Sequence, residues 1–170
     1  YVGALTRQKG IMTILEVARR FETAEFRLVG APSRHLDGEM RDFVARHGLE
    51  RRVQFDGDTD HQKVLSMMTE SDIYLFPSYT EGFPLSVAEA MAAGLPVVAS
   101  TAGAIPEMID PPSGGFTIHW DDVPGYVGAL EKLRDHPEIR RSMGRYNHDK
   151  ARREYDYDRV AERLCGLYSM

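Results

Sequence analysis

Short runs of consecutive apolar residues alternate along the chain with longer segments in which apolar residues recur every three or four positions. Apolar runs without polar alternation are typical of parallel strands that are buried on both faces. The wider spacing is typical of amphipathic helices. The apolar runs lie at residues 1–5, 26–29, 53–55, 73–76, 97–99 and 116–118. The pattern therefore predicts a parallel sheet of about six strands.

The segments between these runs have helical spacing and are bounded by helix-terminating residues. One helix is predicted after Gly10, a second ends before Gly48, and another ends at Gly94, where glycine suits a helix C-terminus. Strands and helices that alternate in this way predict a three-layer α/β/α, Rossmann-like domain with right-handed crossovers. Residues 121–170 contain helical patterns and no further strong strand, so we expect them to close the domain as a helical tail.

Composition narrows the class of protein. The 170 residues include 21 Lys and Arg against 26 Asp and Glu, and 42% are hydrophobic, which suits one globular domain of net charge −5. Cys165 is the single cysteine, so an internal disulfide is excluded and a cytoplasmic setting is expected. No apolar run reaches the roughly 18 residues of a membrane span. The chain begins without Met inside an apolar run, from which we expect an excised domain of a larger protein.

Several function classes lack their sequence signatures. The chain contains no P-loop, no G-x-S-x-G elbow and no G-x-G-x-x-G fingerprint, and its six histidines show no metal-ligand spacing. Arginine pairs at residues 19–20, 51–52, 140–141 and 152–153 stand among acidic residues without interleaved aromatic side chains. Nucleic acid is therefore not expected as a partner.

The segment with the most chemical content is residues 77–91, which follows a predicted buried strand and precedes a predicted helix. Pro84 is well suited to the first helical position. The backbone N–H groups around it then converge at the positive end of the helix dipole, where anions bind. The amides concerned are those of Gly82, Phe83, Leu85 and Ser86. Ligands of open α/β sheets bind at the carboxyl ends of the strands, so this turn is a predicted anion site.

Two glutamates flank the predicted anion site. Glu81 lies in the loop and Glu89 lies within the helix. A carboxylate accepts hydrogen bonds and donates none, so the pair suits a ligand that carries hydroxyl groups beside a phosphate, such as a ribose or a sugar. Either glutamate alone has a structural explanation, because one would complement the helix dipole and the other would be solvated. Their pairing around this turn favours the functional interpretation.

The spacing of Glu81 and Glu89 resembles the E-x7-E motif of the family 4 glycosyltransferases (glycosyl transferase group 1), which have the two-domain GT-B fold. Other segments resemble the donor domain of that family in the expected order. They are VGALTRQKG at residues 2–10, FDG at 55–57, SDIYLFPS at 71–78, GLPVVAS at 94–100 and GAIPE at 103–107. The resemblance covers nearly the whole chain. It implies that residues 1–170 form a nucleotide-sugar-binding C-terminal domain.

The resemblance also implies a role for each matching residue. Glu81 is the implied catalytic residue and faces the hydroxyls of the transferred sugar, while Glu89 holds the ribose. Lys9 and the amides of the turn neutralise the diphosphate, which is also the leaving group. Asp58 is a candidate for contact with the base. The implied donor-binding residues are Gly3, Arg7, Lys9, Asp58, Gly82, Phe83, Pro84, Leu85, Ser86 and Glu89.

The implied reaction is transfer of a sugar, with retention, from a UDP-, GDP- or ADP-linked donor. The acceptor belongs to an N-terminal domain that is absent from these residues, and any membrane association is expected through that absent half. The family typically requires no bound metal, and no cofactor is implied. We expect the isolated domain to bind donor without transferring it, because the cleft between two domains supplies orientation and excludes water.

One departure from the family pattern leaves alternatives open. Ala4 stands where the family usually has Arg, so one of two expected phosphate cations is missing, and Arg7 is a candidate substitute. One alternative is a GT-B relative with different chemistry, such as a nucleotide-sugar epimerase or a phosphorylase-type enzyme. The other is a degenerate nucleotide-binding module that has lost catalysis. Residues 157–164 resemble the terminal segment that crosses back to the other domain in the family.

Overall fold

The computed structural model describes the backbone of residues 1–168, and Ser169 and Met170, the end of the predicted tail, lie outside the described residues. The strands are β1 (Phe26–Val29), β2 (Val53–Gly57), β3 (Tyr74–Phe76), β4 (Val97–Ser100) and β5 (Gly115–Ile118). The helices are α1 (Ile11–Arg20), α2 (Asp37–Arg46), α3 (His61–Thr69), α4 (Leu85–Ala92), α5 (Ile105–Met108), α6 (Val123–Asp135), α7 (Pro137–Glu154) and α8 (Tyr157–Tyr168). The predicted helical tail corresponds to α6, α7 and α8.

All strand pairs between these elements are parallel, as predicted. β1 pairs with β2, and β3, β4 and β5 form a second sheet in that order. The prediction of about six strands in one sheet is not matched within residues 1–168. The apolar run at residues 1–5 forms two isolated parallel bridges, Val2 with Val29 and Leu5 with Pro32. Gly3 has a φ of 144°, outside the β region, which interrupts a regular ladder at this point.

The irregular N-terminal segment nevertheless lies between the two sheets. On one side, the amide of Gly3 donates to the carbonyl of Val29 over 2.9 Å. On the other side, the hydroxyl of Tyr74 donates to the carbonyl of Val2 over 3.2 Å. The Tyr1 ring also stacks on the Phe76 ring, with 5.5 Å between centroids. Contacts to β1 and to β3 thus link the two sheets through this segment.

The strands β3 and β4 of the second sheet are buried on both faces, which explains their unbroken apolar sequence. All four residues of β4 are buried. Val98 packs in a hydrophobic cluster with residues of α1, α2 and α6. Val97 and Ala99 pack in a second cluster with residues of α3, α4 and α5. Successive side chains of a strand point to opposite faces, so the sheet is covered by helices on both sides, and the predicted three-layer architecture is confirmed.

Helix α7 is fixed to the sheet by buried polar side chains. The Asn147 Nδ2 atom donates to the carbonyls of Leu95 and Gly114, each over 2.7 Å. The buried Lys150 ammonium lies 2.8 Å from Asp110 Oδ2. Hydrogen bonds from Lys150 and from Tyr146 hold the pKa of Asp110 below its ordinary value. No helix in the described part of the chain is both long enough and apolar enough to cross a membrane.

Two loops cross at the carboxyl edge of the second sheet. The carbonyl of Gln8 accepts hydrogen bonds from the Tyr79 amide over 2.8 Å and from the Ser78 hydroxyl over 3.2 Å. Gly10 has a φ of 72°, and a Cβ at this position would lie 1.9 Å from the carbonyl oxygen of Pro77. Only glycine fits there without moving the backbone. The loop before α1 therefore rests directly on the loop after β3.

Gly10→Ala tests this crossing. We expect the substitution to lower the free energy of unfolding by about 2–4 kcal/mol, because it adds left-handed strain and a backbone clash. Gly128→Ala is the matched control, since Gly128 is an exposed residue of α6 with no heavy atom within 4 Å of an added Cβ. That variant should gain about 0.5–1 kcal/mol. Urea denaturation measures both, and equal effects would contradict the crossing.

Candidate functional site

The turn before α4 presents unpaired backbone amides. Helix α4 begins at Leu85, and Pro84 precedes it as an extended N-cap residue with ψ 104°. Pro84 is thus one position outside the helix, and the prediction that it is the first helical residue was wrong. Among the described residues, none accepts a hydrogen bond from the amides that the sequence predicted for an anion. These are the amides of Gly82, Phe83, Leu85 and Ser86.

Lys9 and Glu81 meet beside this turn. The Lys9 ammonium lies 2.7 Å from Glu81 Oε1, although 72 positions separate the two residues in sequence. The side chain of Glu81 is 6% exposed and that of Lys9 is 32% exposed. The loop crossing at Gly10 explains the contact, because it holds the residue before it against the loop that carries Glu81. The structure therefore brings the predicted phosphate cation and the predicted catalytic carboxylate together.

A third loop supports the backbone of the turn from the other side. Gly103 has a φ of 53°, and a Cβ there would lie 2.0 Å from the carbonyl oxygen of Glu81. The amide of Ala104 donates to the carbonyl of Gly82 over 3.0 Å. The loop after β4 thus fixes the orientation of residues 81–82. This close backbone approach explains why the GAIPE segment at residues 103–107 begins with glycine.

Glu89 lies in the second turn of α4, and its side chain is 31% exposed.

The hydroxyl of Tyr74 lies near the first turn of the same helix. Tyr74 donates to the carbonyl of Val2 over 3.2 Å. Burial raises the pKa of Tyr74 above its ordinary value, and hydrogen bonds to Ser86 and to Val2 act in the opposite direction. Tyr74 therefore remains protonated and joins the N-terminal segment to the start of α4.

Three predicted residues are placed outside this cluster. The amide of Gly3 is engaged with the carbonyl of Val29, so it is not free for a ligand. Arg7 forms an ion pair with Glu39 in α2, and its side chain is 59% exposed. Asp58 is exposed directly after β2. The structure therefore does not use Arg7 to replace the cation that Ala4 lacks, and it leaves Asp58 at the same edge without a direct contact to the turn.

Asp56, Asp58 and Asp60 alternate at the end of β2 and in the loop that follows it, and they do not form a metal site. Asp56 Oδ1 lies 3.0 Å from the guanidinium of Arg27. Asp60 accepts a hydrogen bond from the Lys63 amide and so caps α3. Across the described residues, no three His, Cys, Asp or Glu side chains converge as metal ligands.

Two residues near the site were missed by sequence reasoning. Tyr74 falls inside an apolar run, so its pattern indicates only a core residue. His61 follows the N-cap of α3, and its Nε2 atom lies 3.8 Å from Glu89 Oε1. No local signal in the sequence could reveal that contact, because 28 positions separate the two residues.

The arrangement combines two kinds of recognition. Four free amides at a helix N-terminus and one ammonium suit a phosphate or diphosphate. The two carboxylates suit hydroxyl groups, because they can only accept hydrogen bonds. A ligand that carries both groups is therefore favoured by the geometry over a simple anion.

Sequence similarity relates nearly the whole chain to one protein family. Residues 1–150 match the family model described as glycosyl transferases group 1. The D-inositol 3-phosphate glycosyltransferase of Corynebacterium kroppenstedtii is 30% identical over 177 residues, which cover 99% of this chain and 39% of that protein. The chain thus spans about two fifths of the length of that curated relative.

Solved structures share the fold over the same extent. Sucrose-phosphate synthase from Thermosynechococcus elongatus superimposes with a TM-score of 0.88 at 25% identity, covering 99% of this chain and 44% of that one. HepE from Anabaena, solved in complex with UDP, superimposes with a TM-score of 0.91 at 21% identity. The match covers 99% of this chain and 48% of HepE. These likenesses confirm the predicted fold class.

The Lys9–Glu81 pair is tested by a double-mutant cycle. Lys9→Met should lower the free energy of unfolding by about 1–3 kcal/mol, because it leaves a nearly buried carboxylate without its cation. Glu81→Gln should cost less, since the partly exposed ammonium of Lys9 still reaches water. We expect the double variant to be more stable than Lys9→Met alone. Urea unfolding of the four proteins measures the coupling, and strictly additive effects would show that the pair contributes nothing.

Proposed function

The chain belongs to the glycosyl transferases group 1 family, and we propose that it is the donor-binding domain of a GT-B glycosyltransferase. Its donor in this proposal is a nucleoside diphosphate sugar linked to UDP, GDP or ADP. The Lys9–Glu81 pair beside the free amides of the α4 turn is the observation that carries the proposal. The UDP complex of HepE, which has the same fold, supports a nucleotide as the ligand.

The diphosphate of the donor is proposed to lie at the start of α4. Its oxygens accept hydrogen bonds from the amides of Gly82, Phe83, Leu85 and Ser86. An ammonium has three donors, so Lys9 can keep its bond to Glu81 while it donates to a phosphate oxygen. When the bond to the sugar breaks, negative charge grows on the diphosphate. Groups that already point at this position stabilise that charge without reorganising.

The two carboxylates are proposed to hold the two hydroxyl-bearing parts of the donor. Glu81 contacts the hydroxyls of the transferred sugar and is the proposed catalytic residue. Glu89 contacts the ribose. Transfer with retention follows if the acceptor attacks from the face of the leaving diphosphate, whose oxygen then takes the acceptor proton. This chain then needs no separate base for the step.

The acceptor is proposed to bind an N-terminal domain of the whole protein. The share of 39% that this chain covers in its relative leaves room for such a domain. We therefore expect the isolated chain to bind donor without transferring sugar. No cofactor, bound metal or nucleic acid takes part in the proposal. A cytoplasmic location, with any membrane association through the other half, stays a prediction.

A nucleotide-binding module without catalysis is the second candidate function. Ala4 provides no cation, and the Arg7 guanidinium is paired with Glu39 rather than with the site. Lys9 is therefore the single cation that the described residues place beside Glu81. A site with half of its expected positive charge binds a diphosphate more weakly and stabilises the leaving group less.

Calorimetric titration of the chain with UDP, GDP and ADP, each with and without Mg²⁺, tests the proposed function. We expect selective binding of one nucleotide that does not require the metal. Lys9→Ala and Glu89→Ala should each weaken binding about 10- to 100-fold, the effect of losing a charged hydrogen-bonding partner. The matched controls are Lys132→Ala and Glu131→Ala on the exposed side of α6, and both should bind like the unaltered chain. Absence of binding, or equal losses in the controls, would overturn the proposal.

Ala4→Arg distinguishes the two candidate functions. If the site lacks a cation, the added guanidinium should raise nucleotide affinity about 10-fold or more, because it supplies a charged contact to phosphate. That result would favour a weakened or degenerate site in the native sequence. An unchanged dissociation constant would show that Lys9 and the amides suffice, and would favour the intact donor site. The same calorimetric titration gives both values.

A further inference from the structure

His61 lies close to Glu89, the site residue within α4. The carboxylate of Asp60 accepts a hydrogen bond from the Lys63 amide, which fixes the start of α3 and places His61 as its first residue. The Nε2 atom of His61 lies 3.8 Å from Glu89 Oε1. The imidazole side chain is 61% exposed, so a ligand can reach it. Neither the motifs nor the composition assigns this histidine a role.

The distance between the two atoms is informative. At 3.8 Å the imidazole and the carboxylate are too far apart for a direct hydrogen bond. A hydroxyl oxygen can nevertheless lie beside both atoms at about 2.8 Å from each, because two such bonds can connect atoms up to about 5.6 Å apart. We propose that one ribose hydroxyl of the nucleoside diphosphate bridges this gap, donating to Glu89 and accepting from the N–H of His61. This inference rests on the proposed function.

The chemistry of a hydroxyl group favours such a bridge. A hydroxyl both donates and accepts, whereas a carboxylate can only accept. A site made of Glu89 alone would leave the lone pairs of the ribose oxygen to water. His61 supplies the missing donor, either as the neutral tautomer with its proton on Nε2 or as imidazolium. The pair therefore satisfies the hydrogen bonds of one ribose hydroxyl more completely than the carboxylate does alone.

The position of His61 agrees with the expected course of the ligand. It follows β2 by four residues, at the carboxyl edge where ligands of parallel sheets bind. Glu89 faces it from α4, whose first turn presents the free amides. A nucleotide with its diphosphate at that turn and its ribose beside Glu89 would place its nucleoside next to the start of α3. His61 is thus a specificity-determining residue for the ribose.

Nucleotides with and without the ribose hydroxyls isolate the contribution of His61 to binding. Dissociation constants are measured for UDP, GDP and ADP and for their 2′,3′-dideoxy counterparts. His61→Ala should weaken binding of the preferred ribonucleotide about 5- to 20-fold and leave binding of its dideoxy form unchanged. His61→Gln keeps a donor near the Nε2 position and should restore part of the loss. His136→Ala is the control, because it removes a similar exposed pair, with Glu138 at 3.0 Å, away from the site.

The outcomes separate this inference from the proposed function. Unchanged ribonucleotide binding by His61→Ala overturns the ribose contact, and so does an equal loss for the ribo and dideoxy ligands. In either case, weakened binding by Lys9→Ala and Glu89→Ala would leave the proposed function standing. Absence of binding by the unaltered chain overturns both. A loss confined to the ribonucleotide supports the bridge.

Discussion

The contact between Gly10 and the carbonyl of Pro77 determines where the candidate site can form. A side chain at position 10 would overlap the backbone of the second loop, so the loop before α1 approaches the loop after β3 only because residue 10 is glycine. The carbonyl of Gln8 then accepts from the backbone of Tyr79. These bonds hold Lys9 over the loop that carries Glu81. The positions of the charged groups thus depend on the packing of backbone against backbone. Backbone packed in this way moves less than a long side chain does.

The pairing of Lys9 with Glu81 also solves a problem of burial. A carboxylate that is 6% exposed would be strongly destabilised without a cation. The pair satisfies this requirement in the free protein and keeps both groups in place for a ligand. The amides at the start of α4 are different, because they remain unpaired within the described residues. The charged groups of the site are therefore held in place, while its backbone amides are free to donate hydrogen bonds. This combination suits the binding of a phosphate.

Sequence pattern was sufficient for the parts of the fold that depend on local order. The unbroken apolar runs indicated buried parallel strands, and Pro84 with the apolar spacing after it indicated the turn and helix α4. The irregularity of the predicted N-terminal strand was missed, because the apolar pattern does not reveal that Gly3 has a φ of 144°. The pairing of Arg7 with Glu39 and the approach of His61 to Glu89 depend on packing between distant elements. Periodicity carries no information about such contacts.

The residues of the site lie on segments that follow different strands. Lys9 follows the irregular segment that contacts β1, His61 follows β2, and Glu81 follows β3. The two sheets are linked through that irregular segment, which forms only isolated bridges. A ligand that contacts all three groups therefore adds a connection between the sheets. Binding to the folded state alone stabilises it by about 2.7 kcal/mol when the ligand is at 100 times its dissociation constant. Because these groups follow three different segments of the sheet edge, a bound ligand opposes the separation of those segments as well as local opening of the site.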